Sequence, residues 1–377
     1  MNASGDGIFT ARRARVAAWL REQGAAAALF EDREGRRDPN VRYLSGQPGD
    51  SLLVVTAAGR GILVAWDVNM ARGMAAADDI LAYSDFERRP VRAVLGVLAQ
   101  EGAGRGARVE LPSTLAYPEY LRYVEEGEDY DFLCREDGVT EFVQGIRAVK
   151  DETEISIYRR AAEITDLLMD SLESGVRKGL IATEADAAIF LERESRALGC
   201  EGLGFDILAA GPRRSFGIHA FPAWTDGPFG APGLSILDFG VSFRGYTTDV
   251  TMTFAAGKLS ARQGGMIALV ETAYQEAAAM IRPGVPTLDV AVLVDGIFSD
   301  AGYRMPHGLG HGIGLESHEA PAVRNRDDNK WVFAPWHVVT LEPGLYDPEA
   351  GGVRLENDFL VGPSGAEALT RSRVVRL

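Results

Sequence analysis

Cysteine is scarce in this chain: Cys134 and Cys200 are the two in 377 residues. They are too few and too far apart in sequence to indicate a disulfide framework or a thiolate metal site, and we interpret both as buried free thiols. No stretch approaches the roughly 18 to 20 consecutive apolar residues of a membrane span. The basic residues 11–15 are followed by an apolar run that Arg21 and Glu22 break before a signal peptide could form, so we expect a cytoplasmic protein.

Basic residues are also in short supply. The chain has 39 lysines and arginines against 54 aspartates and glutamates, a formal net charge of -15 at pH 7. This charge repels phosphate backbones and anionic membranes, so we expect neither nucleic acid nor a membrane as a partner. The apolar fraction of 46% with 25% charged residues is that of an ordinary globular protein. A length of 377 residues exceeds what one hydrophobic core usually organises, which predicts two domains.

The first part of the chain mixes helical and strand patterns. A helix is predicted over residues 10–22 with Thr10 as its cap, strands at 26–30, 52–55, 62–65 and 108–111, and helices at 91–100 and around Tyr120. Residues 137–153 mix glycine, charges and isolated apolar residues, whereas a strongly helical pattern starts at Glu154. We therefore predict a small mixed α/β domain over residues 1–145 and a second domain over residues 146–377.

The second domain contains a weak internal repeat. A helix ending near Gly175 is followed by one that starts behind Thr183 and ends near residue 199, and the same order recurs in helices at 262–281 and 287–302. A histidine-bearing, glycine-rich segment follows each copy. The offset of roughly 105 residues is far too long for a solenoid. The pattern predicts two pseudo-symmetric halves, each a helix pair with a sheet, and a site in the crevice between them.

The histidines are clustered. Three of the five in the chain, His307, His311 and His318, lie within the glycine-rich residues 306–319. A lone histidine is more often structural, but three so close together favour a functional site. Glycines permit the close backbone approach that the wall of such a site requires.

Two aspartates occupy the ends of strand-like sequence. Asp238 follows an apolar run, and Asp249 comes after a segment with a turn signal at Arg244 and Gly245. Two strands joined by that turn would bring the carboxylates side by side, where their mutual repulsion requires a proton or a cation. This arrangement favours a metal site over ordinary surface aspartates.

Two glutamates, Glu342 and Glu356, also lie in strand-like sequence, although either could instead pair with an arginine such as Arg354. Four carboxylates with the imidazole of His311 form a hard, oxygen-rich ligand set without thiolate, which favours manganese, cobalt or iron over a structural zinc. Such a set can bridge two ions. Two ions about 3.5 to 4 Å apart activate water and polarise a carbonyl, the arrangement used for amide hydrolysis.

These motifs resemble those of the pita-bread metallopeptidases, the group of prolidase, aminopeptidase P and creatinase. They are the stretch from Asp238 to Asp249 and residues 310–314, 318–321, 340–344 and 352–356, and residues 145–162 resemble the start of that family's catalytic domain. The resemblance implies an α+β fold, with a pseudo-symmetric pita-bread C-terminal catalytic domain and a smaller mixed α/β creatinase-like N-terminal domain. Methionine aminopeptidases share the catalytic fold but lack such an N-terminal domain, which favours the prolidase group. Creatinase works without metal and lacks the ligands that are all present here, so the resemblance disfavours a metal-independent creatinase.

The resemblance implies two divalent metal ions, with manganese favoured and cobalt, iron or zinc as alternatives. Asp238 would hold one ion, His311 and Glu342 the other, and Asp249 and Glu356 would bridge both. Glu342 would also accept a proton during hydrolysis, and His318 would stabilise the tetrahedral oxyanion. The resemblance also implies that His307 is catalytic, so the implied catalytic residues are His307, His318 and Glu342.

The substrate pocket implied by the resemblance includes His219 and His307. His219 lies in residues 207–222, which match the family's pocket-forming segment. The nearby Phe216, Phe221 and Trp224 could help to hold a proline ring, but we interpret each of them as ordinary core. Arg354 would either bind a peptide carboxylate or orient a bridging glutamate.

The predicted activity is hydrolysis of the bond between an N-terminal residue and proline, on dipeptides as a prolidase or on longer chains as an aminopeptidase P. An alternative keeps the metals but acts on a small non-peptide compound, as the ectoine hydrolases and sulfonium-compound lyases of similar fold do. It arises from departures from the family pattern at Met252, Trp336 and His337, which touch no ligand but could reshape the pocket. A third hypothesis, a non-catalytic module that holds protein partners, is disfavoured because the ligands are retained.

The resemblance also implies a homodimer formed through the N-terminal domain.

Overall fold

The structure is a computed structural model that describes residues 6–377. The chain divides into two compact units, Met1–Ile146 and Arg147–Leu377. Each unit has hydrophobic clusters of its own. None of the helices in residues 6–377 is long and apolar enough to cross a membrane.

The first unit is built on a six-stranded sheet with the strand order β4-β3-β2-β1-β5-β6. The strands are β1 (Ala27–Asp32), β2 (Ser51–Thr56), β3 (Gly61–Ala65), β4 (Asp79–Ala82), β5 (Ala107–Leu111) and β6 (Tyr130–Cys134). The helices are α1 (Asp6–Gln23), α2 (Pro39–Ser45), α3 (Val68–Met74), α4 (Pro90–Gln100) and α5 (Tyr117–Glu126), with a 3-10 helix at Tyr83–Phe86. β2 is antiparallel to both neighbours and the other pairs are parallel, so every strand except β2 ends at the same edge of the sheet.

The predicted elements of this unit are confirmed where the apolar pattern was strong. β1, β2 and β3 are buried along their whole length, as continuous apolar strands are when both faces of a sheet are covered. The predicted Thr10 cap is wrong, because α1 begins at Asp6 and Thr10 lies inside it. Helix α2 was not predicted, although both of its ends have a cap. The Asp38 side chain accepts the N–H of Asn40 at the start of the helix, and Gly46, with φ 75°, ends it.

The junction between the units lies in a helix. Helix α6 (Val139–Ala148) covers much of the stretch whose mixed composition predicted a domain boundary. Its buried residues Val139, Val143 and Ile146 follow the i, i+4, i+7 spacing of an amphipathic helix, so this helix could have been predicted from the sequence.

The second unit contains two helix pairs and four sheets. The helices are α7 (Glu152–Arg177), α8 (Glu184–Ala197), α9 (Ala261–Met280) and α10 (Thr287–Asp300). The strands are β7 (Gly202–Leu203), β8 (Leu208–Ala210), β9 (Gly233–Phe239), β10 (Val241–Phe243), β11 (Tyr246–Thr247), β12 (Val250–Ala256), β13 (Gly310–Gly312), β14 (Glu319–Val323), β15 (Val338–Leu341), β16 (Gly344–Asp347), β17 (Gly351–Arg354), β18 (Asn357–Val361), β19 (Ala366–Ala368) and β20 (Val374–Arg376). The sheets have the orders β11-β10-β7, β20-β12-β9-β8, β14-β13-β15-β18-β19 and β16-β17.

Two hydrophobic clusters organise this unit. Residues of α7 and α8 pack with β9 and β12 in one cluster, and residues of α9 and α10 pack with β14 to β18 and their neighbours in the other. Capping boxes start α7, α8 and α9, at Asp151, Thr183 and Ser260. The predicted pair of helix-plus-sheet halves is confirmed.

Candidate metal centre

Asp238 and Asp249 lie on one face of the strand pair β9–β12. The register sets Asp238 opposite Thr251, and Asp249 directly precedes β12. Because side chains alternate between the two faces of a strand, Asp249 and Thr251 share a face with Asp238. The intervening hairpin β10–β11 turns at Arg244 and Gly245, which have positive φ angles of 51° and 86°. These angles suit a two-residue hairpin turn, and the predicted turn is confirmed.

Glu356 joins the aspartates through Thr251. A β-bridge pairs the two residues, and the Thr251 hydroxyl donates to Glu356 Oε2 at 2.7 Å. Thr251 was not among the predicted site residues. The signal that could have found it is its position two residues after Asp249, on the same face of a strand.

His311 lies in β13, which pairs with both β14 and β15. The flanking glycines are required, because a Cβ at Gly310 would collide with the Thr340 carbonyl and one at Gly312 with the Ala320 carbonyl. The His311 Nδ1 atom lies 3.0 Å from the Gly312 carbonyl, to which it must donate, so Nε2 keeps a free lone pair. Burial, with a smaller effect of His318, lowers the pKa of His311 to about 3. The imidazole is therefore neutral, as a metal ligand must be.

The predicted ligands come together. One ligand atom from each of Asp249, His311 and Glu356 lies within 4.8 Å of the others. His311 Nε2 is 3.8 Å from Asp249 Oδ2 and 3.5 Å from Glu342 Oε1. Glu342 directly follows β15, and its N–H donates to the Leu309 carbonyl at 2.9 Å. Asp238, Asp249, His311, Glu342 and Glu356 all line the same cavity.

This cluster has an excess of negative charge. Burial, and then Glu356, raises the pKa of both Asp249 and Glu342 well above the usual value, and burial followed by Asp238 raises the pKa of Glu356 to about 7. Asp238 Oδ1 is buried and has no hydrogen-bond partner among the described residues. A hard oxygen-rich set with surplus negative charge and an unsatisfied oxygen fits divalent cations.

Arg354 is the guanidinium of this site. It is 2% exposed, it pairs with Asp238, its Nε donates to Thr251 Oγ1 at 2.8 Å, and its Nη1 donates to the Tyr346 hydroxyl at 2.9 Å. Arg354 therefore holds Asp238 directly and Glu356 through Thr251. Of the two roles that the sequence left open for Arg354, these contacts support the orientation of a carboxylate ligand.

His307 is tied to Arg354 by Tyr346. Its Nδ1 lies 2.7 Å from the Gly308 carbonyl and must donate, so its Nε2 accepts from the Tyr346 hydroxyl at 2.9 Å. Burial, then Arg354, lowers the pKa of His307 to about 4. Tyr346 was not predicted as a site residue, although its place four residues after Glu342 puts both on one face of strand-like sequence.

A cavity of about 700 Å³ opens above these ligands. His318 lies at its mouth with its ring centroid 4.1 Å from that of His311, and its Nδ1 is 3.3 Å from the Ser317 hydroxyl. His219 and Phe221 line the cavity from the segment that follows β8. All the sequence-predicted site residues thus lie around one cavity.

One interpretation of neighbouring residues is wrong. Phe216, Phe221 and Trp224 are not core, because they are 43%, 96% and 45% exposed. Met252, Trp336 and His337 are not among the described residues that line the cavity. Met252 is fully buried in the cluster beneath α7 and α8.

Comparison with known families agrees with this geometry. Residues 156–363 match metallopeptidase family M24, and residues 12–149 match the creatinase/prolidase N-terminal domain. The chain belongs to metallopeptidase family M24. M24 metallopeptidases use divalent metals, and the cluster of Asp249, His311 and Glu356 fits that chemistry.

Relatives of this M24 metallopeptidase cover nearly its whole length. It is 30% identical to "Putative dipeptidase YkvY" of Bacillus subtilis (strain 168) over 368 residues, 95% of this chain and 96% of that protein. It resembles the Xaa-Pro dipeptidase from Bacillus anthracis at 25% identity and a TM-score of 0.85, covering 98% of this chain and 100% of that one. It resembles the X-Pro aminopeptidase from Thermotoga maritima MSB8 at 25% identity and a TM-score of 0.84, covering 97% and 99%. These likenesses confirm the predicted pita-bread fold with its creatinase-like N-terminal domain.

Proposed function

We propose that this M24 metallopeptidase hydrolyses the peptide bond between an N-terminal residue and proline, and that it uses two divalent metal ions to do so. The observation that carries the proposal is the convergence of four carboxylates and one imidazole, all of residue types that can ligate a metal, on one histidine-lined cavity. The five proposed ligands are Asp238, Asp249, His311, Glu342 and Glu356. Two relatives of known structure are named as an Xaa-Pro dipeptidase and an X-Pro aminopeptidase, which supports the choice of bond.

In the proposed site, Asp238 would hold one ion, His311 and Glu342 would hold the other, and Asp249 and Glu356 would be shared by both. When bound, two such ions activate water and polarise a carbonyl. Manganese is the proposed metal, because oxygen ligands dominate the set and no thiolate takes part.

The protein's own side chains prepare this site before substrate binds. Arg354 fixes Asp238, and Thr251 fixes Glu356, so two ligands are oriented by groups that do not themselves ligate. Glu342 is the proposed proton acceptor, because it lines the cavity beside His311. His318 lies exposed at the cavity mouth against His311, and we assign it the stabilisation of the carbonyl oxygen.

Substrate recognition requires an apolar wall and a cation. Ile218 and Phe221 offer the wall beside His219, and a proline ring can pack there. Arg354 is occupied by Asp238, Thr251 and Tyr346, so it is not free to bind the carboxylate of a dipeptide.

We assign that carboxylate-binding role to Arg324. It lines the same cavity, and its Nε is buried without a hydrogen-bond partner among the described residues. Its Nη2 lies 3.4 Å from the exposed Asp328. A guanidinium so placed can take a carboxylate in a two-pronged hydrogen bond, which favours dipeptides as substrates.

The test is hydrolysis by the metal-stripped protein after reloading with manganese, cobalt, iron or zinc. The substrates are Xaa-Pro dipeptides, Xaa-Pro-Xaa tripeptides and Xaa-Ala dipeptides, with the variant Asp249→Ala as the control. We expect metal-dependent cleavage before proline that Asp249→Ala abolishes, with dipeptides cleaved faster than tripeptides. Bound metal without cleavage of any Xaa-Pro bond would contradict the proposal and point to a small non-peptide substrate.

Three further statements stay predictions. They are the domain boundary between residues 145 and 146, the cytoplasmic location and the homodimer. A monomer at micromolar concentration in light scattering would contradict the homodimer.

A further inference from the structure

The first unit contains a cavity of about 480 Å³. Glu31, at the end of β1, and Tyr83, directly after β4, line it, and so do the start of α4 and one side of α5. It therefore lies at the edge of the sheet where the parallel strands end. In open α/β sheets, ligands bind outside the carboxyl ends of the strands, so the position itself is that of a binding site.

The floor of this cavity has an unsatisfied polar group. Tyr123 is 2% exposed, lines the cavity, and its hydroxyl is buried without a hydrogen-bond partner among the described residues. Burial, then Glu31, raises the pKa of Tyr123 well above its usual value, so the hydroxyl keeps its proton and can donate. Buried hydroxyls are normally paired, and leaving one unpaired costs about 1 to 3 kcal/mol. A ligand that accepts this hydrogen bond would remove the cost.

The arginines at the cavity differ in what they contact. Arg33 pairs with Glu119, and Arg36, which does not itself line the cavity, pairs with both Glu31 and Glu119. Both acidic residues therefore have arginine partners, and Glu31 Oε1 accepts no hydrogen bond from the described residues. Arg89 pairs with the third acidic lining residue, Glu126, at 3.1 Å.

Arg88 and Arg122 also line the cavity and are exposed at its mouth, and neither forms an ion pair with any described residue. The protein as a whole has a net charge of -15, whereas the two unpaired guanidinium groups at this cavity are positive. Two arginines without carboxylate partners can bind an anion.

The amino end of helix α4 adds to this positive field. Pro90 and Val91, its first residues, line the cavity, and the side chain of the capping residue Arg89 makes no hydrogen bond to the helix end. The free N–H groups and the helix dipole at such an end favour an anion. The end of α4 and the unpaired Tyr123 hydroxyl are independent features of the same cavity.

We propose that this cavity binds a small organic anion, whose carboxylate or phosphate group lies between Arg88 and Arg122 at the start of α4 and which accepts a hydrogen bond from Tyr123. Nothing in the hydrolytic site of the second unit requires this binding. The ligand class is defined by its charge and by an acceptor atom that reaches the cavity floor.

The experiment is isothermal titration calorimetry on the metal-loaded full-length protein, with succinate and inorganic phosphate as separate probes. The test variants are Arg88→Ala with Arg122→Ala, and Tyr123→Phe. The control carries Arg15→Ala with Arg105→Ala, which removes the same charge from exposed positions of the same unit. Binding at the metal site contributes equally to all four proteins, so the differences report the cavity.

We expect the wild type and the control to bind one more equivalent of probe than the double arginine variant, or to bind it about tenfold more tightly. Tyr123→Phe should weaken the same binding while thermal unfolding shows an intact fold. A response to phosphate alone would assign a phosphorylated ligand, and a response to succinate alone a carboxylate. Coincident isotherms for the wild type and the arginine variant with both probes, or equal weakening in the control, would overturn the proposal.

Discussion

The buried Arg354 and the partly buried Asp238 form an ion pair in the wall of the histidine-lined cavity. The same guanidinium donates to Thr251, whose hydroxyl donates to Glu356. One residue that is not itself a proposed ligand therefore fixes two that are. Partners of this kind set the geometry and the affinity of a metal site.

The variant Thr251→Val tests this arrangement, because it keeps the shape of the side chain and removes the hydroxyl. We expect metal affinity to fall about tenfold or more, since Glu356 loses the group that orients it. The measurement is metal titration by calorimetry. The matched control is Thr253→Val on the same strand, whose hydroxyl bonds only to the Arg354 backbone. Each variant should lose about 1 kcal/mol of stability, because each loses a hydrogen bond. Metal affinity should fall in Thr251→Val alone, and equal metal affinities in the two variants would contradict the orienting role of Thr251.

The assignment of Arg324 to the substrate carboxylate predicts a selective effect. In Arg324→Ala, the KM for an Xaa-Pro dipeptide should rise about tenfold or more, because a charged hydrogen bond is lost. The KM for the same dipeptide with an amidated C-terminus should hardly change. Arg326→Ala, an exposed arginine two residues away, serves as the control. An equal rise for acid and amide would show that Arg324 has no contact with the carboxylate.

Glu184 is expected to position the loop that contains His219. It is 1% exposed and accepts the N–H of Gly211 and the N–H of Thr225, both at 2.7 Å, so it joins the two ends of that loop. Glu184→Gln replaces one acceptor oxygen with a donor, so we expect a several-fold higher KM with unchanged metal content. Glu192→Gln, exposed on the same helix, is the control. An unchanged KM in a correctly folded Glu184→Gln protein would contradict the proposal that Glu184 positions the loop containing His219.

A pH dependence of stability is expected from Glu319. Burial alone would raise its pKa, but Lys150 and Arg147 outweigh burial and lower the pKa to about 2 from the usual 4.5. Because the folded-state pKa is depressed, the stabilisation is present above pH 4.5 and is lost as the pH falls towards 2. The shift corresponds to about 3 kcal/mol.

Urea unfolding of the wild type and of Glu319→Gln measures the contribution of the Glu319 carboxylate to stability. The difference in unfolding free energy should be largest near pH 6 and should narrow steadily below pH 4.5. Glu316→Gln is the control, because Glu316 bonds to the same Arg147 but its side chain is 44% exposed. A difference that stays constant with pH would contradict the assigned pKa.

The sequence predicted those parts of the fold in which one local pattern dominates. The helix starting behind Thr183 has a capping box, and the turn at Arg244 and Gly245 has a glycine at a position of positive φ, so both were found. Helix α6 was missed although its buried positions follow helical spacing, because the glycines and charges of residues 137–153 favoured a domain boundary there. The short helix α2 was missed because its seven residues show little periodicity.

The candidate site was predicted as far as its residue types carry chemistry. Several carboxylates in strand-like sequence, together with a glycine-flanked histidine, favour metal binding. Thr251 and Tyr346 were missed, because a hydroxyl has no such meaning until the fold places it beside Glu356 or between His307 and Arg354. The exposure of Phe221 was not predictable either, since aromatic residues near a pocket motif are equally compatible with core.

The central claim is that the five ligands hold the ions on which peptide hydrolysis depends, and metal content measured together with activity tests it most directly. The measurement is elemental analysis of the purified protein and of Asp249→Ala, with cleavage of an Xaa-Pro dipeptide followed in the same samples. The account predicts two divalent ions per wild-type chain, fewer than two in the variant, and no cleavage by the variant or by the metal-stripped protein. Full cleavage by metal-free protein, or a variant that keeps both ions and full activity, would contradict it.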